Sequence, residues 1–212
     1  MSTEDDRPQG SEAPTSAAHR EKMKEVQAAQ RAKVKEAIDP ERALVLVHTG
    51  NGKGKSSSAF GVIARALGWG HRVGVVQFIK GKWITGERRF FEKIEPAVTW
   101  HTMGEGFTWD TQDKDRDTEA AEAAFERARQ MMSSGDFDLI VLDEINIALR
   151  YDYLTVEAVI DGLEARDDNT SVILTGRDAK PELLDYADLV SEMVERKHPF
   201  KSGIKAQRGI DF

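Results

Sequence analysis

Beyond Pro40 the chain alternates between short apolar runs and longer segments whose apolar positions recur every three or four residues. That alternation predicts an α/β fold with a mainly parallel sheet flanked by helices. Strands are expected over Ala43 to His48, Val73 to Ile79, Val98 to Met103, Asp138 to Asp143, Ser171 to Thr175 and Leu189 to Val194. Leu139, Ile140, Val141 and Leu142 are apolar without alternation, as suits a strand covered on both faces. After the first strand, Phe60, Ile63, Ala64 and Leu67 fall at spacings of three, four and seven, an apolar helix face that Gly68 and Gly70 bring to an end. Further helices are expected over Gly86 to Ile94, Thr118 to Met132, Thr155 to Arg166 and Pro181 to Tyr186. Asp117 or Thr118 should cap the second of these and Gly135 should stop it; the last carries proline in its first turn.

The first forty residues read differently. Residues 1–17 are rich in Ser, Pro, Glu and Asp with little to bury, the composition of a disordered leader. Residues 18–40 form a helix by propensity, with only Met23, Val26, Val34 and Ile38 marking an apolar stripe, and Asp39-Pro40 closes it. Residues 41–212 remain as one domain. The net charge of −7 argues against a nucleic-acid coat or a polybasic membrane anchor, both of which need a clustered positive surface. Cysteine is absent, so disulfides and thiolate metal sites play no part, and the chain reads as cytoplasmic. Neither a signal peptide nor a stretch of membrane-spanning length is visible.

The candidate chemistry begins where the first strand ends. Gly50-Asn51-Gly52-Lys53-Gly54-Lys55-Ser56-Ser57 is a glycine-and-lysine loop between a strand and a helix, the layout of a phosphate-binding loop. Backbone N–H groups can converge there on one anion, Lys55 adds a point charge, and Ser56 offers a hydroxyl to a magnesium ion. All eight residues are candidates for holding ATP. The strict pattern fails at one position, because Thr49 stands where its first glycine belongs. A second element, the apolar strand ending in Asp143 and Glu144, resembles the acidic strand that faces such a loop. Strand C-termini in a parallel sheet open onto one crevice, so Asp143, Glu144 and Ser56 are candidate ligands for Mg2+ or Mn2+.

A third cluster, Gly104-Glu105-Gly106-Phe107-Thr108-Trp109, sets two aromatics on a glycine-punctuated loop, either as core anchors or as a platform for a large ring. Arg65 and Arg177 are weaker candidates for touching ATP or a second substrate. Lys80, Lys82, Arg88 and Arg89 form a basic rim or a solvated face, and His198 has no spaced partner that would make it a metal ligand.

Taken together, Gly50 to Ser56, Gly74 to Gly81 with Gly86-Glu87-Arg88, Gly106 to Trp109, Val141 to Glu144, Tyr151 to Leu154, Thr175-Gly176-Arg177, Lys205-Ala206-Gln207 and Gly209-Ile210-Asp211 resemble the P-loop ATP:corrinoid adenosyltransferases. The resemblance runs from about residue 20 to the end and implies a P-loop NTPase-like (RecA-like) fold. It implies that Co(I) of a reduced corrinoid attacks C5′ of ATP and expels the whole triphosphate, with Lys55, Ser56 and Glu144 as catalytic residues. It places Glu144 and Ser56 on the magnesium ion, with Asp143 as a ligand or the partner behind one, and lays Phe107 and Trp109 against the lower face of the corrin. It also implies a homodimer, an electron donor such as a reduced flavoprotein, and an N-terminal helix that can cover the corrinoid site. From the bare motifs, a nucleotide hydrolase or kinase is the alternative. A RecA-like nucleic-acid-binding ATPase is disfavoured by the acidic charge balance.

Overall fold

The computed structural model describes residues 16–78, 85–94, 96–102 and 114–211. The chain divides between Pro40 and Glu41 into two compact units. The first contributes one helix, α1 (Ser16–Glu36), which buries none of its residues; Met23, Val26 and Val34 are all exposed along it. Ser16 and Ala17 belong to this helix, although their composition reads as leader, and residues 1–15 lie outside the described set. No described helix is long and apolar enough to cross a membrane.

The second unit contains β1 (Val45–Thr49), α2 (Lys55–Gly68), β2 (Val73–Gln77), α3 (Gly86–Phe91), β3 (Val98–Thr102), α4 (Lys114–Ser133) and β4 (Leu139–Asp143). It continues with α5 (Ile145–Arg150), α6 (Val156–Glu164), β5 (Ser171–Thr175), α7 (Pro181–Tyr186) and β6 (Leu189–Glu192). The described strands make one six-stranded sheet in the order β3-β2-β4-β5-β1-β6, parallel at every pairing. The strand that feeds the glycine loop and the strand that ends in the acids are therefore separated by β5.

Side-chain alternation along the strands divides the core between the two faces of the sheet. Leu139 and Val141 join Val73, Val75 and Ile173 beneath Ala59, Phe60, Ile63 and Ala66 of α2 and Phe91 of α3. Ile140 and Leu142 point the other way, into a layer made by Phe125, Ala128 and Met132 of α4, Leu149 of α5 and Val159 and Leu163 of α6. All five residues of β4 are buried, as its unbroken apolar run predicts.

Several boundaries differ from the expected ones, each for a local reason. The buried stripe of α2 uses Ala59 and Ala66, while Ala64 is exposed and Leu67 only partly buried; Gly70, at φ 78, ends the helix in the left-handed conformation. Helix α4 is already formed at Lys114, so Thr118 is not a cap; its hydroxyl donates to Lys114 O, an interior pattern. Strand β6 stops at Glu192 because Met193 leaves the ladder to bond the glycine loop. Helix α5, six residues long, was not expected: Glu144 takes φ 62 and turns the chain straight from β4 into it.

Candidate active site

The loop after β1 is built around the backbone at Met193. Gly52 N donates to Met193 O at 2.6 Å, and Met193 N donates to Thr49 O at 2.9 Å. A Cβ at Gly50 would stand 2.5 Å from Met193 O, and one at Gly52 would stand 2.8 Å from the same oxygen. These two glycines are needed for close approach of two backbones. Gly52→Ala should therefore destabilise the fold by about 1–3 kcal/mol, seen as a lower midpoint in urea unfolding, because a backbone carbonyl cannot yield as a side chain can.

Thr49, the departure from the strict pattern, has a job of its own. Its Oγ1 accepts from Ala179 N at 3.2 Å, tying the loop to the chain beyond β5, and the positive φ passes to Gly50 at 93°. The end of β1 is secured by a residue the sequence did not single out. His48 is 5% exposed, and its Nδ1 lies 2.8 Å from Ser58 Oγ, which in turn donates to Lys55 O at 2.8 Å. Burial pushes the His48 imidazole below its ordinary pKa, so it acts as a neutral strut for the first turn of α2.

Lys55 opens α2 and is buried, 7% exposed, with Nζ donating to Gly52 O at 2.7 Å. Burial holds its ammonium below the usual lysine range, while the charge of Glu144 pulls in the opposite direction. Lys53 points outward instead and pairs with Asp211 at 2.7 Å.

The acids at the end of β4 differ from one another. Asp143 is 2% exposed, and both of its oxygens are engaged: Oδ1 accepts from Thr175 Oγ1 at 2.8 Å and Oδ2 from Gln77 Nε2 at 3.0 Å. Thr175 Oγ1 also accepts from Glu144 N at 2.9 Å, fixing the strained turn between the two carboxylates. Glu144 is half-buried and its carboxyl is pushed up to about 7, first by desolvation and then by the Asp143 charge, with Lys55 and Arg177 opposing. A carboxylate held at such a cost beside two cations and a fixed neighbour is an expected feature of a functional site.

One cavity of ≈ 350 Å³ brings these elements together. Gly52 to Ser57, Asp143, Glu144 and Arg177 line it, and Gln77, Thr85, Glu87, Phe60, Ile210 and Asp211 complete the wall. Gly50 and Asn51 are not among the lining residues, and neither is Arg65, which sits exposed in the last turn of α2. Arg177 reaches the cavity from beyond β5, where Gly176 packs against the buried Asn146 and its carbonyl accepts from Asn146 Nδ2 at 3.2 Å. Phe107 and Trp109 lie outside the described residues, as do Lys80 and Lys82. Arg88 is engaged with Glu92 at 2.7 Å, and His198 Nδ1 accepts from Phe200 N.

Gln77 and Thr175 were the site residues most open to discovery from sequence, since both end parallel strands on the crevice side. Their register, Gln77 opposite Asp143 and Thr175 opposite His48, puts them on either side of the acids.

The donors suit a hard cation. Among the described residues no three His, Asp or Glu side chains cluster as a self-sufficient metal site. Ser56 and Glu144 instead face one cavity as oxygen donors, an arrangement suited to magnesium held partly by phosphate oxygens and water.

Comparison with known proteins agrees with this geometry. Residues 41–212 match the family described as ATP:corrinoid adenosyltransferase BtuR/CobO/CobP. A corrinoid adenosyltransferase of Pseudomonas aeruginosa is 53% identical over 92% of this chain and 95% of its own length. One from Sinorhizobium is 48% identical over 96% of this chain and 97% of its own. The corrinoid adenosyltransferase CobA of Salmonella typhimurium is 46% identical over 85% and 94%, respectively.

Proposed function

The chain belongs to the ATP:corrinoid adenosyltransferases, and from that premise we propose that the cavity between the glycine loop and the β4 acids holds the triphosphate of ATP during adenosyl transfer. The enzyme transfers the 5′-deoxyadenosyl group of ATP to reduced cobalt in a corrinoid. Cobalt's electron pair forms a bond to C5′ as the C5′–O bond breaks, and the pair from that bond departs on the triphosphate. No activated water takes part.

The observation that carries this reading is that Lys55, Arg177 and the loop residues Gly52 to Ser57 line the same cavity as Glu144. Charge builds on the triphosphate as its bond to C5′ breaks, and fixed donors in a partly water-excluded site stabilise that charge without reorganising. Lys55 and Arg177 supply the cationic part. Ser56 and Glu144 would hold Mg2+ or Mn2+, with Asp143 behind Glu144, because its own oxygens are taken by Thr175 and Gln77. When bound, that ion would neutralise charge on the phosphate oxygens and so favour departure of the leaving group.

Phe107 and Trp109 form the corrinoid-facing part of this proposal, supported by the family motif they occupy. By filling the lower face they would keep an axial ligand off cobalt and ease its reduction. Replacing either with His should suppress the visible-spectrum signature of four-coordinate Co(II) corrinoid; an unchanged spectrum would return both to a packing role. A reduced flavoprotein as electron donor, a homodimeric assembly and a cytoplasmic setting complete the proposal, by family resemblance.

A nucleotide hydrolase or kinase would share the loop and the acids, and the reaction separates them. With ATP, magnesium and chemically reduced cobalamin, adenosyl transfer predicts a light-sensitive organocobalt product. Steady turnover of ATP without corrinoid would favour the rival.

A further inference from the structure

The two lysines of the loop are set differently. Lys55 is buried and turned inward, whereas the Lys53 side chain is 48% exposed and reaches outward to Asp211 Oδ1 at 2.7 Å. The Asp211 carboxylate does not depend on that lysine for its position. Its Oδ2 accepts from Gln207 N at 2.8 Å, and its own backbone N donates to Gln207 O at 2.8 Å, so a closed turn over Gln207–Asp211 fixes it. Its side chain is 13% exposed. Of the two partners, the long, half-exposed lysine is the one free to swing.

The pair also stands at a boundary. Lys53 and Asp211 line the cavity of the loop and the β4 acids, and both line a second cavity of ≈ 550 Å³ whose other walls include Phe200, Ile204 and Lys205.

We infer that Asp211 competes with polyphosphate for the Lys53 ammonium, and that this competition sets how readily the triphosphate leaves once the adenosyl group has been transferred. The inference rests on the loop cavity being the triphosphate site. A loop rich in donors that stabilises a departing polyphosphate also binds the free product, which carries more negative charge than the esterified substrate. A carboxylate anchored beside one of those donors offers Lys53 an alternative partner and so withholds one cation from the product. Asp211 is thus a positioning residue: it acts through Lys53.

The test is calorimetric titration of inorganic triphosphate with magnesium into the wild type, Asp211→Asn, Asp211→Glu, Lys53→Ala and the Lys53→Ala/Asp211→Asn double variant. Asp211→Asn should bind about fivefold tighter at low ionic strength, the scale of a partly exposed ion pair, with the gain shrinking as salt rises. Asp211→Glu should stay near wild type, and the gain should vanish in the Lys53→Ala background. Unchanged or weaker binding in Asp211→Asn overturns the inference, and weaker binding is what a purely structural tail contact predicts. A wild type that binds no triphosphate overturns the cavity reading itself, and this inference with it.

Discussion

Lys55→Ala is expected to lower kcat/KM for adenosyl transfer by about a thousandfold or more, with corrinoid affinity changed little. The magnitude follows from the loss of a preorganised cation against a charge that develops only in the transition state, which is worth several kcal/mol in a water-poor site. Lys55 is 7% exposed and opens α2 directly behind the loop, a buried position that neither the half-exposed Lys53, paired with Asp211, nor Arg177, entering from beyond β5, occupies. Lys55→Arg should not rescue, because a planar fork does not fit where a compact ammonium meets Gly52 O. Steady-state kinetics beside corrinoid titration by absorbance makes the measurement. Adenosylation retained in Lys55→Ala would remove the residue from the role given to it here.

The second large effect sets stability against turnover. The Glu144 carboxyl is raised from 4.5 to about 7 in the folded protein. Between those values the folded protein holds a proton that the unfolded chain has already released. The contribution to stability is therefore fully present below about 4.5 and is lost as pH rises through about 7. Glu144→Gln removes the ionisation and keeps the shape, so the metal-free variant should gain about 2 kcal/mol well above pH 7 and nothing at acid pH. Turnover should fall by about a hundredfold or more, the usual exchange between stability and function at a strained site. Magnesium with ATP should stabilise the wild type more than the variant. Urea unfolding at several pH values, with and without magnesium and ATP, reads each of these; an equal gain at every pH would assign the strain at Glu144 to packing and not to charge.

How much of this was legible in the chain depends on the distance over which each feature is encoded. The loop from Gly50 to Ser57 is local, and its strand and helix announce themselves by period, so its placement needed no tertiary knowledge. The unbroken apolar run of β4 likewise showed both its burial and the acids at its end. The network behind those acids is another matter. Gln77, Asp143 and Thr175 come from β2, β4 and β5, and they meet only because those strands are neighbours in that order. Strand order is not written in any one segment. Thr49 looked like a departure from a pattern because its partner, Ala179 N, lies beyond β5. Arg65 shows the reverse case: ten residues into α2 a helix has risen about 15 Å, enough to carry a basic residue away from the loop that precedes it. Helix α5 is too short to display a period, and the left-handed Glu144 that starts it is not a residue type that advertises a positive φ.

The account stands on one claim, that the triphosphate leaves whole from the cavity shared by Lys55 and Glu144. Phosphorus NMR of a single anaerobic reaction containing ATP, magnesium and chemically reduced cobalamin measures this directly. One equivalent of inorganic triphosphate per organocobalt product, absent when Lys55→Ala replaces the wild type, is the predicted result. ADP with orthophosphate, or triphosphate formed equally well by Lys55→Ala, would contradict it.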